Sequence, residues 1–324
     1  MSDLPCISVV LPVHNGAMWI RECVESLLSQ RMPPMEVVVV DDGSRDDPAS
    51  ALRGLPVHLI RLDENRGRAA ARNAGIRVAL GELIVFAEDD GYYPPEYLER
   101  IVEPFTDPGV AGSIGPCRVH RPDTFITRCR DAERVGHFAS YKPFTAWAYR
   151  AADLHVVGGF DGTLEFAEDV DLGRRVAQRC GRIAYVKEAV WYHREPHRLS
   201  GFMRRRFRAG AGNLLYKLRA GRSPLPPRAR LLALGMLVLA AASVILTSHG
   251  QPTPAFAVLL ATPVLPLLAR WNFVRRARRE GARFIHACGW VYLEFAGWVA
   301  AALGTLVALV VGPARMQIRL RGRR

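Results

Sequence analysis

The chain has 324 residues, of which 49% are hydrophobic, and it carries a formal net charge of +13. Residues 1–195 hold 23 Lys and Arg against 29 Asp and Glu, whereas residues 196–324 hold 21 against 2. The basic part also contains the longest apolar runs, which favours contact with a membrane. A nucleic-acid-binding face would instead mix basic and aromatic residues on a soluble fold, so no nucleic-acid partner is expected.

The first half of the chain alternates between strand-like and helix-like patterns. Short β-branched runs predict strands, and apolar residues at helical spacing predict the helices between them. The predicted elements are, in chain order, a strand at Ile7–Leu11, a helix at 18–29, strands at Glu36–Val40 and Val57–Leu62, a helix at Arg68–Leu80, a strand at Leu83–Ala87, a helix at Asp169–Cys180 and a strand at Arg182–Val186. This alternation predicts an α/β fold with a parallel sheet.

Three consecutive carboxylates, Glu88, Asp89 and Asp90, follow the apolar run Leu83–Ala87. Adjacent carboxylates repel one another and need a cation or a hydrogen-bonded partner. Because ligands of open α/β sheets bind beyond the carboxyl ends of the strands, the trio predicts a site for a divalent cation and a diphosphate. The alternative is a solvated acidic turn in front of a helix that begins near Pro94.

Two further motifs can contact a nucleotide. Asp41 and Asp42 follow the second strand, where a carboxylate can accept hydrogen bonds from a nucleobase or a ribose; alternatively, they cap a turn or a helix. Arg72 lies near the start of the next helix, where it can face a diphosphate, or it belongs to a solvated basic face. The glycine fingerprint of dinucleotide-binding proteins is missing after the first strand, which argues against an oxidoreductase.

Candidates for proton transfer and metal binding lie later in the chain. Glu168 and Asp169 precede a predicted helix, where the pKa of a carboxylate is expected to be lowered, as suits a base that deprotonates a hydroxyl. The alternative is an ordinary acidic residue at a helix N-terminus. His193 follows the last predicted strand and is either a metal ligand or a surface histidine.

The order of these motifs resembles family 2 of the inverting nucleotide-sugar glycosyltransferases, which have the Rossmann-like GT-A fold. The resemblance covers roughly residues 5–195. The motifs that carry it are Pro12-Val13-His14-Asn15, Asp41-Asp42-Gly43-Ser44, Asn65-x-Gly67 with Ala71-Arg72-Asn73, Glu88-Asp89-Asp90, Gly158-Gly159-Phe160-Asp161 and Glu168-Asp169-Val170-Asp171-Leu172.

The resemblance implies a role for each motif. The loop containing Pro12, His14 and Asn15 would pack around the nucleotide, and Asp42, with Asp41 beside it, would read the base. Asp90 would hold Mg²⁺ or Mn²⁺ on the diphosphate, and Glu88 or Asp89 would contact the ribose. Asp169, with Glu168 beside it, would be the catalytic base. Glu88 departs from the family's usual Asp, and the QxxRW-type signature of processive synthases is missing, which favours single-sugar transfer.

We therefore expect a hexosyltransferase-like enzyme that uses a UDP- or GDP-linked sugar donor. Its acceptor would be a hydroxyl of a cell-envelope glycan or of a lipid-linked sugar, and the anomeric centre would be inverted. The alternative is a catalytically inactive, membrane-tethered module of the same fold that binds a nucleotide or a lipid.

The predicted domain organisation is a GT-A domain at 1–197, a basic amphipathic segment at 198–228 and a membrane domain at 229–324. Three apolar runs predict two or three transmembrane helices, at about 230–248, 254–271 and 287–312. The third run either spans the membrane or forms a re-entrant or interfacial helix, because it contains Glu294 and is followed by arginines. The N-terminus does not resemble a signal peptide and the segment Arg270–Arg283 is strongly basic, so we expect a multi-pass protein of the inner membrane with its catalytic domain in the cytoplasm.

Overall fold

The computed structural model describes residues 5–138, 145–164, 167–219, 267 and 270–311. These residues divide into two compact units. The first unit comprises the described residues up to 121 and those from 145 to 195. The second unit comprises residues 122–138 and the described residues from 196 onward.

The secondary structure is mixed in the first unit and helical in the second. The strands are β1 Ile7–Val13, β2 Glu36–Asp41, β3 His58–Arg61, β4 Leu83–Phe86, β5 Gly91–Tyr92, β6 Val110–Ile114, β7 Cys117–Val119, β8 Ala148–Arg150, β9 Arg182–Tyr185 and β10 Trp191–His193. The helices are α1 Ala17–Leu28, α2 Pro48–Ala51, α3 Arg68–Val78, α4 Tyr97–Val102, α5 Phe125–Phe138, α6 Ala151–Val157, α7 Glu168–Arg179, α8 Leu199–Arg219, α9 Trp271–Arg279 and α10 Phe284–Val311.

The first unit is built on a seven-stranded sheet of order β3-β2-β1-β4-β8-β6-β9. All neighbouring strands are parallel except β8, which runs antiparallel to both β4 and β6. The chain moves outward from β1 to β3 and then returns to place β4 on the other side of β1. This creates a topological switch point between β1 and β4, where open α/β sheets bind their ligands. The prediction of a mostly parallel α/β sheet is confirmed.

Helix α3 packs closely against the central strand β1. A Cβ atom added at Gly75 would lie 2.3 Å from Cγ1 of Val10, so this contact needs glycine. Arg72 lies one helical turn earlier on the same face and is only 2% exposed. The close packing of the helix therefore carries a charged side chain into the interior of the unit.

The predicted strands and helices of the first unit are all present, with ends that differ by one or two residues. The elements that were not predicted are mostly short. Strands β5, β7 and β10 have two or three residues each, which is too few for a recognisable alternation of apolar and polar residues. They form a separate three-stranded sheet of order β5-β10-β7.

The second unit contains α5, α8, α9 and α10. Its buried core includes Cys129, Phe202, Phe273 and Trp290. Glu294, the one acidic residue of the third apolar run, is buried against Arg270, whose Nε–H donates to Glu294 Oε2 at 2.8 Å. This pairing explains how a carboxylate is accommodated on an apolar helix.

Within the described residues, no helix is both long enough and apolar enough to cross a membrane. The predicted span at 287–312 falls on α10 and is not supported. The predicted spans at 230–248 and 254–271 lie almost wholly outside the described residues.

Candidate active site

Three of the predicted motifs follow adjacent parallel strands of the large sheet. Pro12 lies near the end of β1, Asp41 ends β2, and the acidic trio begins two residues after β4. Because β2, β1 and β4 are neighbours and parallel, their carboxyl ends lie at one edge of the sheet, beside the switch point. The fold thus brings together segments that are far apart in the sequence.

Hydrogen bonds join the loop after β1 to the loop after β2. The Nδ1–H of His14 donates to the backbone carbonyl of Asp42 at 2.8 Å. The backbone N–H of Asn15 donates to Ser44 Oγ at 3.0 Å, and the backbone N–H of Arg45 donates to Asn15 Oδ1 at 2.9 Å. Asn15 has a φ of 56°, a left-handed conformation that asparagine tolerates better than most residues. The predicted nucleotide-binding residues His14 and Asn15 are therefore hydrogen-bonded to the loop that contains Asp42.

The two aspartates after β2 differ in their surroundings. Asp41 Oδ1 accepts a hydrogen bond from the backbone N–H of Ser44 at 2.8 Å. Asp41 therefore caps a turn, which was the alternative to a nucleotide contact. Asp42 Oδ1 and Oδ2 accept from the backbone N–H groups of Arg66 and Gly67, at 2.7 and 2.9 Å. A carboxylate oxygen has two lone pairs, so Asp42 can also accept from a nucleobase. Of the two, Asp42 fits the base-reading role.

Glu88, Asp90 and His193 converge on one point. His193 Nε2 lies 3.1 Å from Glu88 Oε2 and 3.3 Å from Asp90 Oδ1, and the three donor atoms are all within 4.8 Å of one another. His193 belongs to β10 and pairs with Gly91 of β5, so the small sheet carries the histidine to the acidic trio. His193 is only 5% exposed, and the surface-histidine alternative is therefore wrong.

The charges of this cluster fit a divalent cation. Burial alone would raise the pKa of Glu88, but the hydrogen bond and positive charge of His193, together with Arg72, hold that pKa well below its usual range. Burial, followed by the charges of Asp90 and Glu88, raises the pKa of Asp89 to about 8. A cation among these carboxylates would offset their repulsion, and two carboxylates with an imidazole form a ligand set that Mg²⁺ or Mn²⁺ accepts. Glu88 thus groups with Asp90 and His193, which leaves Asp89 as the candidate for the ribose contact.

Arg72 does not face open space, as a contact with a diphosphate would require. Its Nη1–H donates to Glu168 Oε1 at 3.1 Å, and its Nη2 lies 3.6 Å from Glu88 Oε1. Three aromatic rings surround its guanidinium with centroids 5.4 to 6.0 Å from Cζ, those of Phe86, Trp147 and Phe160. The predicted diphosphate contact of Arg72 is corrected: the arginine connects the acidic trio to the Glu168-Asp169 pair.

Arg68 was not singled out from the sequence, although it lies in the same motif. It is the first residue of α3, its side chain is 35% exposed, and its Nε lies 3.5 Å from Glu168 Oε1. An arginine at a helix N-terminus suits an anion, so Arg68 is a better candidate than Arg72 for a diphosphate contact. In the sequence, Arg68 could have been found from its position directly after Gly67 and four residues before Arg72.

Glu168 and Asp169 begin helix α7 but have different environments. Glu168 is 3% exposed and is held by Arg72. Burial and, next, the charge of Glu168 raise the pKa of Asp169 to about 6. The predicted lowering of this pKa by the helix N-terminus is wrong, because desolvation and the neighbouring carboxylate outweigh the helix dipole. Asp169 is nevertheless ionised at neutral pH and is a stronger base than an ordinary aspartate.

Comparison with known proteins gives matches to glycosyltransferases. Residues 8–159 match the family described as Glycosyl transferase family 2. The pre-mycofactocin glycosyltransferase of Mycobacterium tuberculosis is 31% identical over 205 residues, which are 58% of this chain and 42% of the relative. Glycosyltransferase AglE of Haloferax volcanii is 28% identical over 230 residues, 66% of this chain and 74% of the relative. This chain thus spans less than half the length of the first relative.

A solved structure supports the fold. The mannosyltransferase PcManGT from Pyrobaculum calidifontis, in complex with GDP-Man and Mn²⁺, superposes with a TM-score of 0.59 at 24% identity. The match covers 94% of this chain and 88% of the mannosyltransferase. At this identity the similarity concerns the fold alone.

Proposed function

From the family 2 glycosyltransferase domain at residues 8–159, we propose that this chain is an enzyme that transfers a sugar from a nucleotide-sugar donor to a hydroxyl group of an acceptor. One observation carries the proposal: the cation ligands Glu88, Asp90 and His193 are connected through buried Arg72 to the Glu168-Asp169 pair. In such a transfer, a cation stabilises the departing diphosphate and a base deprotonates the acceptor hydroxyl.

The donor is a UDP- or GDP-linked sugar that lies at the carboxyl edge of the sheet. Support for the nucleotide site comes from the bonded loops around His14, Asn15 and Asp42, and Arg68 would contact the diphosphate. Glu88, Asp90 and His193 would hold Mg²⁺ or Mn²⁺. When bound, the cation neutralises the negative charge that develops on the departing nucleoside diphosphate.

Asp169 is the base that removes the proton from the acceptor hydroxyl as its oxygen forms the bond to C1 of the sugar. The bond between C1 and the diphosphate oxygen breaks in the same displacement, and the nucleoside diphosphate leaves with the bonding electrons. A single displacement inverts the anomeric centre. A pKa of about 6 supports this role, because the carboxylate is both ionised and basic near pH 7. Glu168 contributes by holding Arg72 and by raising the pKa of Asp169.

The acceptor is proposed to be lipid-linked, and the second unit supplies the support. It exposes Trp271, Phe284 and Ile285, and Arg278 lies over the Phe284 ring at 5.7 Å. Aromatic and aliphatic side chains beside arginines suit the surface of an anionic membrane. The strongly basic segment 270–283 agrees with a cytoplasmic catalytic domain.

The second unit also contains an apolar cavity of about 470 Å³. An apolar cavity of this size suits the chain of a lipid carrier better than a free sugar, whose hydroxyls would lose their hydrogen bonds there. Residues that line it are Phe125, Leu199, Ile285, Cys288, Tyr292 and Leu293.

The experiment is to incubate the purified chain with a panel of UDP- and GDP-linked sugars, Mn²⁺ and a lipid extract, and to measure nucleoside diphosphate release. We expect release from at least one donor, its loss on chelation and its loss in Asp169→Asn. A chain that binds a nucleoside diphosphate but releases none from any donor would instead be the inactive, membrane-tethered module.

A further inference from the structure

The two ring nitrogens of His193 face different carboxylates. Nε2 points to Glu88 and Asp90, whereas Nδ1 lies 3.8 Å from Oε1 of Glu195. This is beyond hydrogen-bond length but within the range of an ion pair. His193 is 5% exposed and Glu195 is 4% exposed, so both groups are removed from water. The mechanism proposed above gives Glu195 no task.

A buried carboxylate is costly unless a positive or donating group faces it. Nδ1 of His193 is buried and makes no hydrogen bond within the described structure, so it is the nitrogen whose proton Glu195 can attract. Without a cation, Glu88 and Asp90 at 3.1 and 3.3 Å favour a proton on Nε2. A cation bound to these carboxylates needs the lone pair of Nε2, so a neutral ring must then carry its one proton on Nδ1, beside Glu195. That tautomer leaves the lone pair of Nε2 free.

The backbone around this pair is fixed on both sides. The carbonyl of His193 accepts a hydrogen bond from the N–H of His120 at 2.9 Å. The intervening residue, Arg194, donates from its backbone N–H to the carbonyl of Asp90 at 3.3 Å, and its guanidinium lies 4.4 Å from the ring centroid of Trp19. Glu195 is therefore presented to Nδ1 from a segment that is itself attached to the acidic trio.

We infer that Glu195 is a positioning residue for the cation site: it holds the proton of His193 on Nδ1 so that Nε2 can bind a divalent cation with Glu88 and Asp90. The inference rests on the cation site of the proposed function. Without Glu195, the tautomer that the cation needs loses the carboxylate that stabilises it, and the competing tautomer, in which Nε2–H donates to Glu88, blocks the ligand position more often. Carboxylates behind a ligating histidine commonly change metal affinity by about 10- to 100-fold.

The test measures Mn²⁺ affinity of the purified full chain, without nucleotide or turnover, from the EPR signal of free Mn²⁺. We expect Glu195→Ala to weaken binding by about 10- to 100-fold. Glu195→Gln, which keeps an acceptor oxygen but loses the charge, should weaken it less. Glu36→Gln is the matched control, because Glu36 accepts from Ser8 Oγ and from the backbone N–H of Leu80, and it should bind Mn²⁺ like the wild type.

A double-mutant cycle separates positioning from general damage to the fold. If Glu195 acts through His193, then Glu195→Ala has no further effect on Mn²⁺ affinity in the His193→Ala background. Equal weakening in both backgrounds, or unchanged affinity of folded Glu195→Ala and Glu195→Gln, overturns the inference and leaves the proposed function standing. A wild-type chain that binds no Mn²⁺ overturns the cation site itself. Far-UV circular dichroism confirms folding, and Glu195→Gln decides the matter if Glu195→Ala does not fold.

Discussion

Arg72 donates a hydrogen bond from Nη1 to Oε1 of Glu168 at 3.1 Å, with side chains 2% and 3% exposed. The same guanidinium lies 3.6 Å from Glu88. Because charges interact strongly where water is excluded, this arginine couples Glu88 of the acidic trio to Glu168, the neighbour of Asp169. A change in charge at one acidic motif should therefore affect the other through Arg72.

Arg72→Met should strongly destabilise the chain. Removing one partner of a buried ion pair leaves an uncompensated charge and typically costs about 3–5 kcal/mol. Arg72→Met combined with Glu168→Gln should recover much of this loss, because the second substitution removes the unpaired charge. The measurement is urea unfolding. Arg182→Met, which breaks the exposed pair with Asp107, is the control and should leave the midpoint nearly unchanged. Equal effects of the two single variants would contradict a buried pair.

Asp169→Asn should lose transfer but keep the donor and the cation. An amide cannot accept the proton of the acceptor hydroxyl, and loss of a general base costs about 10²- to 10⁴-fold in kcat. Nucleoside diphosphate release reports the rate, and calorimetry reports donor affinity. A variant that keeps more than a tenth of the wild-type kcat would argue against Asp169 as the base.

Transfer should depend on pH with an acid limb near pH 6, where Asp169 takes up a proton. The base works when ionised, so the rate rises as pH increases through this pKa. Glu168→Gln removes a negative charge that raises the pKa of Asp169, and the limb should move to lower pH. The pH profile of kcat in the two proteins measures the shift. A limb that stays in place or moves upward would show that Glu168 does not influence the titrating group.

Gly16→Ala should disturb the acidic trio by contact alone. A Cβ atom at Gly16 would lie 2.1 Å from Oδ2 of Asp89, while the φ of −117° at Gly16 is one that alanine adopts freely. We expect Asp89 to be displaced and the KM for the donor to rise. Gly162→Ala is the control, since its added Cβ would meet nothing within 4 Å. Identical KM values for both variants would mean that Asp89 does not contact the donor.

Local patterns in the sequence were sufficient to place the motifs that follow the strands of the large sheet. The valines of β2 and the apolar run before Glu88 each specify a buried strand, and parallel strands necessarily bring their carboxyl ends to one edge. The acidic trio predicts a cation site because its three charges are adjacent in the chain.

Relationships that depend on tertiary packing could not be obtained in this way. Arg72 and Glu168 are separated by 96 positions, and nothing local shows that the arginine is buried between two carboxylates. His193 reaches the trio through a three-residue strand of a second sheet. The pKa of Asp169 is set by desolvation, which exists only in the folded chain, so the sequence suggested the wrong direction.

The central claim is that Glu88, Asp90 and His193 hold a cation that binds the diphosphate of the donor. It is tested most directly by titrating UDP and GDP into the chain with and without Mn²⁺, for the wild type and for Asp90→Asn. The account predicts that at least one of the two nucleotides binds at least tenfold more tightly with Mn²⁺, equivalent to about 1.4 kcal/mol, and that Asp90→Asn loses this gain. Nucleotide affinity that is the same with and without Mn²⁺ in the wild type would contradict it.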